Sequence, residues 1–183
     1  MSAPIIAPVT LAAAAPKAAV TLNAVKAKIG MIPNLYATLA QSPAALDALL
    51  AINTAASEGS LSGAEREIIA LATAQLNGCH YCLSAHTLMG KGAGLSADQM
   101  LKARTGRGTS DRQAAIATFA QSLLTHRGHV GEADIASARN AGLSDGELME
   151  SVVGVAANTL TNFANNLART TLDFPPVALQ LPA

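Results

Sequence analysis

Four short segments of the form Ser-x-x-Glu or Ser-x-x-Gln recur along the chain, each directly before a run of apolar residues at helical spacing. They are Ser62–Glu65, Ser96–Gln99, Ser110–Gln113 and Ser144–Glu147. In such a capping box the serine side chain accepts a backbone N–H at the helix start, and the Glu or Gln side chain accepts the N–H of the serine. Ser42-Pro43 indicates a further start, because proline suits the first helical position. We therefore expect one helix after another, which predicts an all-α fold.

The amino-acid composition favours the same class. Hydrophobic residues make up 50% of the 183 residues and aromatic residues 3%, so the core must be built mainly from Ala, Leu, Ile and Val. Alanine is the strongest helix former, and the alternating β-branched and aromatic pattern of strands is nearly absent. We expect one helical bundle domain at residues 17–176, with an N-terminal arm at 1–16 and a C-terminal tail at 177–183.

Apolar periodicity and helix-breaking residues place the helices more closely. The predicted helices cover residues 16–29, a short stretch beginning near Pro33, and then 43–58, 63–76, 79–90, 97–103, 111–127, 131–141 and 145–168. Tyr36 and Phe163 are expected in the core, with a place at the border of a substrate entrance as the alternative for either. Asn158, Asn162, Asn165 and Asn166 recur at helical spacing, and we interpret them as a structural interface ladder, with a pocket lining as the alternative.

Charge and hydropathy exclude several functions. Twelve basic and twelve acidic residues give a formal net charge of zero, so no basic surface for nucleic acid is expected. A membrane span needs about 18 consecutive apolar residues, and none occur. Ala3–Pro16 lacks the basic start of a secretory signal, so we expect a cytoplasmic protein. A weakly charged, strongly apolar chain also favours a homo-oligomer.

The stretch NGCHYCLSAH, residues 77–86, contains both cysteines and two of the four histidines. Gly78 is suited to the left-handed end of one helix, which puts Cys79 at the start of the next. There the unpaired N–H groups and the helix dipole favour a thiolate. Cys82 follows one turn later, and His86 lies four residues beyond it on the same side, where it can take a thiol proton.

Three interpretations of this stretch compete. A zinc site needs four ligands, and Cys79, Cys82 and His86 supply three; His126 and His129 are better explained as capping a helix end. A purely structural disulfide would close so small a loop that it would constrain the unfolded chain little. A reversible dithiol–disulfide couple is the favoured interpretation, and we expect neither a metal nor a cofactor.

The wider pattern Glu67-x11-Cys79-x2-Cys82-x3-His86 resembles the signature of the AhpD-like alkylhydroperoxidases, within the carboxymuconolactone decarboxylase superfamily. Lys26–Leu50 and the sequence NTLTNFANNLARTTLDFP (158–175) are similar to segments of the peroxidase-related branch. The resemblance implies an all-helical fold that assembles into trimers or hexamers and reduces hydroperoxides without haem, flavin or metal.

The resemblance also implies a role for each side chain. Cys82 would be oxidised by the hydroperoxide and Cys79 would resolve it as a disulfide. His86 and Glu67 would relay the proton, and a dithiol reductant, either a lipoyl group or a thioredoxin-like protein, would reset the couple.

One position departs from the family pattern. In the best-studied type of the family a histidine is the second residue between the cysteines, whereas here Tyr81 stands there and His80 precedes it. Tyr81 and His80 are therefore accessory candidates only, since a phenol with a pKa near 10 is a poor base at neutral pH.

Two other functional classes stay open. One is a lyase like the lactone-processing branch of the superfamily, which generally lacks paired cysteines. The other is a non-enzymatic redox sensor whose oligomer changes when the disulfide forms.

Overall fold

The computed structural model describes residues 3–182, and within that range the chain folds into helices with no strand. The helices are α1 Pro16–Ile29, α2 Asn34–Leu39, α3 Pro43–Ser57, α4 Gly63–Leu76, α5 His80–Gly92, α6 Ala97–Arg104, α7 Asp111–Thr125, α8 Glu132–Asn140 and α9 Asp145–Ala168. The predicted all-α class is confirmed, and the predicted helix ends lie within about two residues of those observed.

The serine caps explain where the helices begin. Complete capping boxes form at Ser62, Ser96 and Ser144. At Ser110 the serine accepts from the backbone of Gln113 as predicted, but the Gln113 Oε1 accepts from the Thr109 hydroxyl at 2.8 Å. The full box predicted there is wrong, because a neighbouring hydroxyl competes for the glutamine.

Helix α5 continues to Gly92, the second of the two glycines, Gly90 and Gly92, that mark its end in the sequence. Gly90 is buried, and a Cβ at this position would lie 3.0 Å from the Met100 Sδ of α6. Glycine therefore leaves room here for the close approach of the Met100 side chain on α6 and does not end the helix.

Helix α4 is the centre of the fold, with α5, α6, α7 and α9 packed around it. The stretch from Ile68 to Ala74 is buried without interruption, as expected for a helix that is apolar on every side. Burial of a single large side chain such as Leu71 stabilises the fold by about 1.5–3 kcal/mol. Groups carried by α4 are accordingly held on a rigid support.

Both ends of the described chain lie along the bundle. The Ile5 N–H donates to the Ala168 carbonyl at 2.8 Å, and the Val177 N–H donates to the Ser84 hydroxyl at 3.1 Å. The first two residues of the predicted arm and the last residue of the predicted tail lie outside the described residues, and the division into arm, domain and tail stays a prediction.

A row of large apolar side chains runs along the exposed side of α9. Phe163 is 60% exposed, so its expected place in the core is wrong. We call the row the α9 stripe; it consists of Met149, Val152, Val153, Leu160, Phe163 and Leu167. Among residues 3–182, no helix combines the length and apolar character that crossing a bilayer requires.

Candidate active site

The site begins at the turn between α4 and α5. Asn77 ends α4, and Gly78 adopts a φ of 61°, the left-handed conformation predicted for it. The Cys79 N–H then donates back to the Ala74 carbonyl at 3.0 Å, which closes the turn. As a result the chain reverses, and α5 runs back along α4.

Cys79 and Cys82 are joined by a disulfide, with their Cα atoms 5.3 Å apart. Cys79 is the N-cap of α5, and its sulfur accepts the Cys82 backbone N–H at 3.2 Å. The two sulfurs thus have different surroundings, because only Cys79 receives a hydrogen bond from the helix start. Both cysteines are buried.

His86 and Glu67 form a hydrogen-bonded pair between α5 and α4. The His86 Nδ1 lies 2.8 Å from the Glu67 Oε2, and the two side chains are 18% and 17% exposed. A carboxylate that accepts from Nδ1–H leaves Nε2 of a neutral imidazole as the basic nitrogen. The pair can therefore accept a proton at Nε2 and stabilise the resulting charge.

A cavity of about 640 Å³ opens beside these groups. Cys82, His86 and Glu67 line it, whereas Cys79 is not among its lining residues. The remaining walls are largely apolar and come from the α1–α2 connection and from α2, α3, α4, α5 and α9. The structure thus places one of the two sulfurs at a space large enough for an organic molecule.

Tyr81 also lines the cavity, but its hydroxyl is bound elsewhere. The hydroxyl oxygen accepts the Leu35 N–H at 3.2 Å, and the ring contacts Phe174 edge-on with centroids 5.4 Å apart. Burial, and secondarily the Asp173 carboxylate, raise the pKa of the phenol. His80 is half-buried at the first position of α5 and does not line the cavity.

The four asparagines of α9 divide by position. Asn162 Oδ1 accepts from Asn77 Nδ2, and Asn166 Nδ2 donates to the Asn77 carbonyl, so this pair holds α9 to the α4–α5 turn. Asn158 and Asn165 line the cavity, as one of the alternatives predicted. The Asn165 Nδ2 lies 3.2 Å from the Cys82 sulfur, a contact that helical spacing within α9 did not indicate.

Among residues 3–182, no cluster of three or more His, Cys, Asp and Glu side chains suited to a metal ion is found. His126 is the C-cap of α7, and its Nδ1 lies 3.1 Å from the Ser122 carbonyl oxygen, which is the helix-end position expected for it.

Comparison with known proteins gives a family match and a fold match. The sequence model of the carboxymuconolactone decarboxylase family matches residues 43–121, a range that includes Glu67, Cys79, Cys82 and His86. No curated protein sequence matches the chain significantly.

The fold is similar to several crystal structures. An alkylhydroperoxidase AhpD core protein from Ralstonia eutropha JMP134, an uncharacterized peroxidase-related protein, superposes with a TM-score of 0.84 at 25% identity, over 94% of both chains. A peroxidase-related protein from Silicibacter sp. TM1040 has a TM-score of 0.80 at 22% identity, over 97% of this chain and 95% of that one. The debrominase Bmp8, in complex with 2,3,4-tribromopyrrole, has a TM-score of 0.76 at 16% identity, over 92% of this chain and 91% of its own.

Proposed function

This chain belongs to the superfamily of AhpD-like alkylhydroperoxidases and carboxymuconolactone decarboxylases, and from that premise we propose that it is a thiol-dependent peroxidase that reduces organic hydroperoxides. One observation carries the proposal: a cysteine pair at disulfide distance has one member, Cys82, at a cavity that also contains the His86–Glu67 pair. The structure corresponds to the oxidised form of the couple.

The peroxide reacts at Cys82. In the reduced protein, His86 Nε2 takes the Cys82 thiol proton, and Glu67 stabilises the imidazolium that forms. The thiolate attacks the terminal oxygen of R–O–O–H, so an S–O bond forms and the O–O bond breaks. The sulfur becomes a sulfenic acid, and the departing alkoxide takes the proton from His86 to give the alcohol.

Cys79 then resolves the sulfenic acid. Its sulfur attacks the Cys82 sulfur, the disulfide forms, and the hydroxide leaves as water with the Cys79 proton. Overall the peroxide gains two electrons and the cysteine pair loses them. A dithiol reductant, a lipoyl group or a thioredoxin-like protein, returns both thiols to the reduced state by exchange and is itself oxidised to a disulfide.

The cavity favours organic hydroperoxides over hydrogen peroxide. Its volume of about 640 Å³ and its apolar walls can bury a hydrocarbon body next to Cys82, whereas hydrogen peroxide has no apolar surface to bury. We place the reaction in a reducing compartment, the cytoplasm, because the cycle depends on a dithiol. We also propose a homo-oligomer, a trimer or hexamer, in which the α9 stripe is covered.

Coupled turnover tests this function directly. The consumption of cumene hydroperoxide and of hydrogen peroxide is measured with dihydrolipoamide for the wild type, Cys82→Ser and Cys79→Ser. We expect turnover by the wild type, a preference for the organic peroxide, and none by Cys82→Ser. Without the dithiol, Cys79→Ser should stop at the sulfenic acid after about one equivalent of peroxide, because no second thiol of the chain can close the disulfide. Wild-type turnover no greater than that of Cys82→Ser would contradict the proposal.

Two controls separate the other functional classes. A lyase acting on a lactone would keep its activity after both cysteines are replaced by serine, whereas a thiol peroxidase would lose it. A redox sensor would change its elution volume between reducing and oxidising buffers without peroxide turnover.

A further inference from the structure

Asn165 touches the sulfur that borders the cavity. Its Nδ2 lies 3.2 Å from the Cys82 Sγ, and the residue is 3% exposed. Asn165 itself lines the cavity, and its Oδ1 has no hydrogen-bond partner among residues 3–182. One end of the amide is therefore engaged by the reacting atom and the other is unpaired.

A buried carbonyl oxygen without a partner loses the hydrogen bonds that it would make to water, and such an atom is uncommon in folded proteins. Two neighbouring asparagines of α9 have hydrogen-bonded amide N–H groups. Asn158 donates to the Gly154 carbonyl, and Asn166 donates to the Asn77 carbonyl. Asn162 has an unpaired Nδ2, but it does not line the cavity. Asn165 thus combines an unpaired polar atom with a position at the cavity.

We propose that Asn165 is a catalytic residue of this site, whose amide N–H donates to the Cys82 sulfur and whose Oδ1 accepts the O–H of the bound hydroperoxide. The second half of the proposal rests on the proposed peroxidase function, and the first half does not. Together the two contacts would hold the terminal peroxide oxygen against the sulfur.

The donor half follows from the change in charge at Cys82. A disulfide sulfur is a weak acceptor, whereas a thiolate carries a full negative charge and makes a stronger, charge-assisted hydrogen bond. Cys82 receives no helix N–H at its sulfur, because the N-cap sulfur is that of Cys79. Asn165 therefore supplies the cavity-side sulfur with the donor that Cys79 receives from the backbone.

The acceptor half follows from the reaction. The hydroperoxide O–H needs an acceptor while the thiolate attacks the oxygen that bears it, and the unpaired Oδ1 provides one. The S–O bond forms, the O–O bond breaks, and the alkoxide is protonated by His86 as described above. Asn165 orients the peroxide and neither gains nor loses a proton.

Other groups around the cavity also influence the Cys82 thiol. The titratable and charged side chains that line it are Arg66 and Glu67 on α4, Tyr81 and His86 on α5, Tyr36 on α2 and Glu150 on α9, with Asp173 beside Tyr81. A variant at Asn165 leaves all of them in place, so its effect can be assigned to the lost amide.

Alkylation of Cys82 tests the donor half without any peroxide. In a Cys79→Ser background a single thiol remains, and its iodoacetamide rate against pH reports the thiolate fraction. We expect Asn165→Ala and the near-isosteric Asn165→Leu to move the midpoint to higher pH. The neutral-pH rate should fall about tenfold, because the thiolate loses a charge-assisted hydrogen bond. Asn158→Ala is the matched control, since Asn158 lies two turns away on α9, lines the same cavity and contacts no sulfur.

The acceptor half is tested at a pH above the alkylation midpoint of every variant, where Cys82 is fully ionised in all of them. There Asn165→Leu should react with cumene hydroperoxide about tenfold more slowly than the parent, while its iodoacetamide rate is unchanged. Circular dichroism spectra confirm that each variant is folded.

The outcomes separate the two proposals. Alkylation profiles that match the parent in both Asn165 variants would overturn the donor role, and an unchanged ratio of peroxide to iodoacetamide rates would overturn the acceptor role. A wild type that alkylates normally but never reacts with hydroperoxide would instead overturn the peroxidase function.

Discussion

Glu67→Gln is the sharpest test of the proton relay. The substitution keeps the shape of the side chain and removes the charge that faces His86 Nδ1 at 2.8 Å. Because both side chains are less than one-fifth exposed, at 18% and 17%, their contact is worth more than a surface ion pair. A hydrogen bond to a charged group contributes about 1.5–3 kcal/mol. The equilibrium constant for proton transfer from the Cys82 thiol to the His86 imidazole should therefore fall by about 10- to 150-fold.

The measurement uses the Cys79→Ser background, in which Cys82 is the single thiol. The rate of peroxide oxidation at neutral pH is followed by rapid mixing, with iodoacetamide alkylation as the second probe. Glu65→Gln is the control: Glu65 lies on the same helix two residues away, but it binds Arg112 and the Ser62 N–H and does not line the cavity. That variant should lose stability without losing thiol reactivity.

The relay is refuted if Cys82 reacts equally fast in the Cys79→Ser parent with and without Glu67→Gln. A loss of the same size in Glu65→Gln would also count against it, since that would trace the effect to a general loosening of α4.

Two further predictions concern stability and assembly. Arg112 joins two capping boxes through Glu65 and Glu147, so Arg112→Met should lower the free energy of unfolding by about 1–2 kcal/mol in urea at neutral pH. The Ser144 N–H, then Arg112, lower the pKa of Glu147 from 4.5 to about 2, so this stabilisation is present above pH 4.5 and is lost as the pH falls towards 2. In the α9 stripe, Phe163→Glu should reduce the mass measured by light scattering from that of a trimer or hexamer to that of a monomer, because the apolar contact is lost.

Each of these has a matched control. Arg139→Met removes an ion pair whose two side chains are 56% and 74% exposed, and it should change stability by less than about 0.5 kcal/mol. Equal losses in the two arginine variants would contradict the bridging role of Arg112. For assembly, Val20→Glu changes an exposed apolar residue on α1 outside the stripe and should leave the mass unchanged. A monomeric wild type, or a Phe163→Glu protein of undiminished mass, would contradict the prediction.

The helices could be predicted from the sequence because their signals are local. The capping box at Ser144 is completed by Glu147, which follows it by three positions. Gly78 adopts a positive φ at the end of α4, a conformation that the glycine itself indicates. Where a neighbour intervened the prediction failed, as at Gln113, which binds the Thr109 hydroxyl. Gly90 is one of two glycines that mark the end of α5 in the sequence, yet it lies inside the helix, where a Cβ would come within 3.0 Å of the Met100 side chain on another helix.

Parts of the site that depend on tertiary contacts were harder to predict. Glu67 and Cys82 were singled out by their spacing in the family signature, and the structure places both at one cavity. The contact from Asn165 joins residues 83 apart in the chain, and no periodicity within α9 distinguishes that asparagine from its neighbours. The cavity itself is formed by several helices, so no single stretch of sequence encodes it.

The burial of Cys79 has a kinetic consequence. Under the proposed peroxidase function, the peroxide and the reductant must both reach the Cys82 sulfur, because Cys82 borders the cavity and Cys79 does not, and they cannot do so together. The cycle is then a double-displacement reaction in which the alcohol and water leave before the dithiol enters. An excess of peroxide would occupy the cavity of the disulfide form and keep the reductant out. An excess of reductant would occupy the cavity of the dithiol form and keep the peroxide out. The reductant must also extend its sulfur into an apolar recess, which a slender arm such as a lipoyl group does more readily than the flat surface of a folded protein.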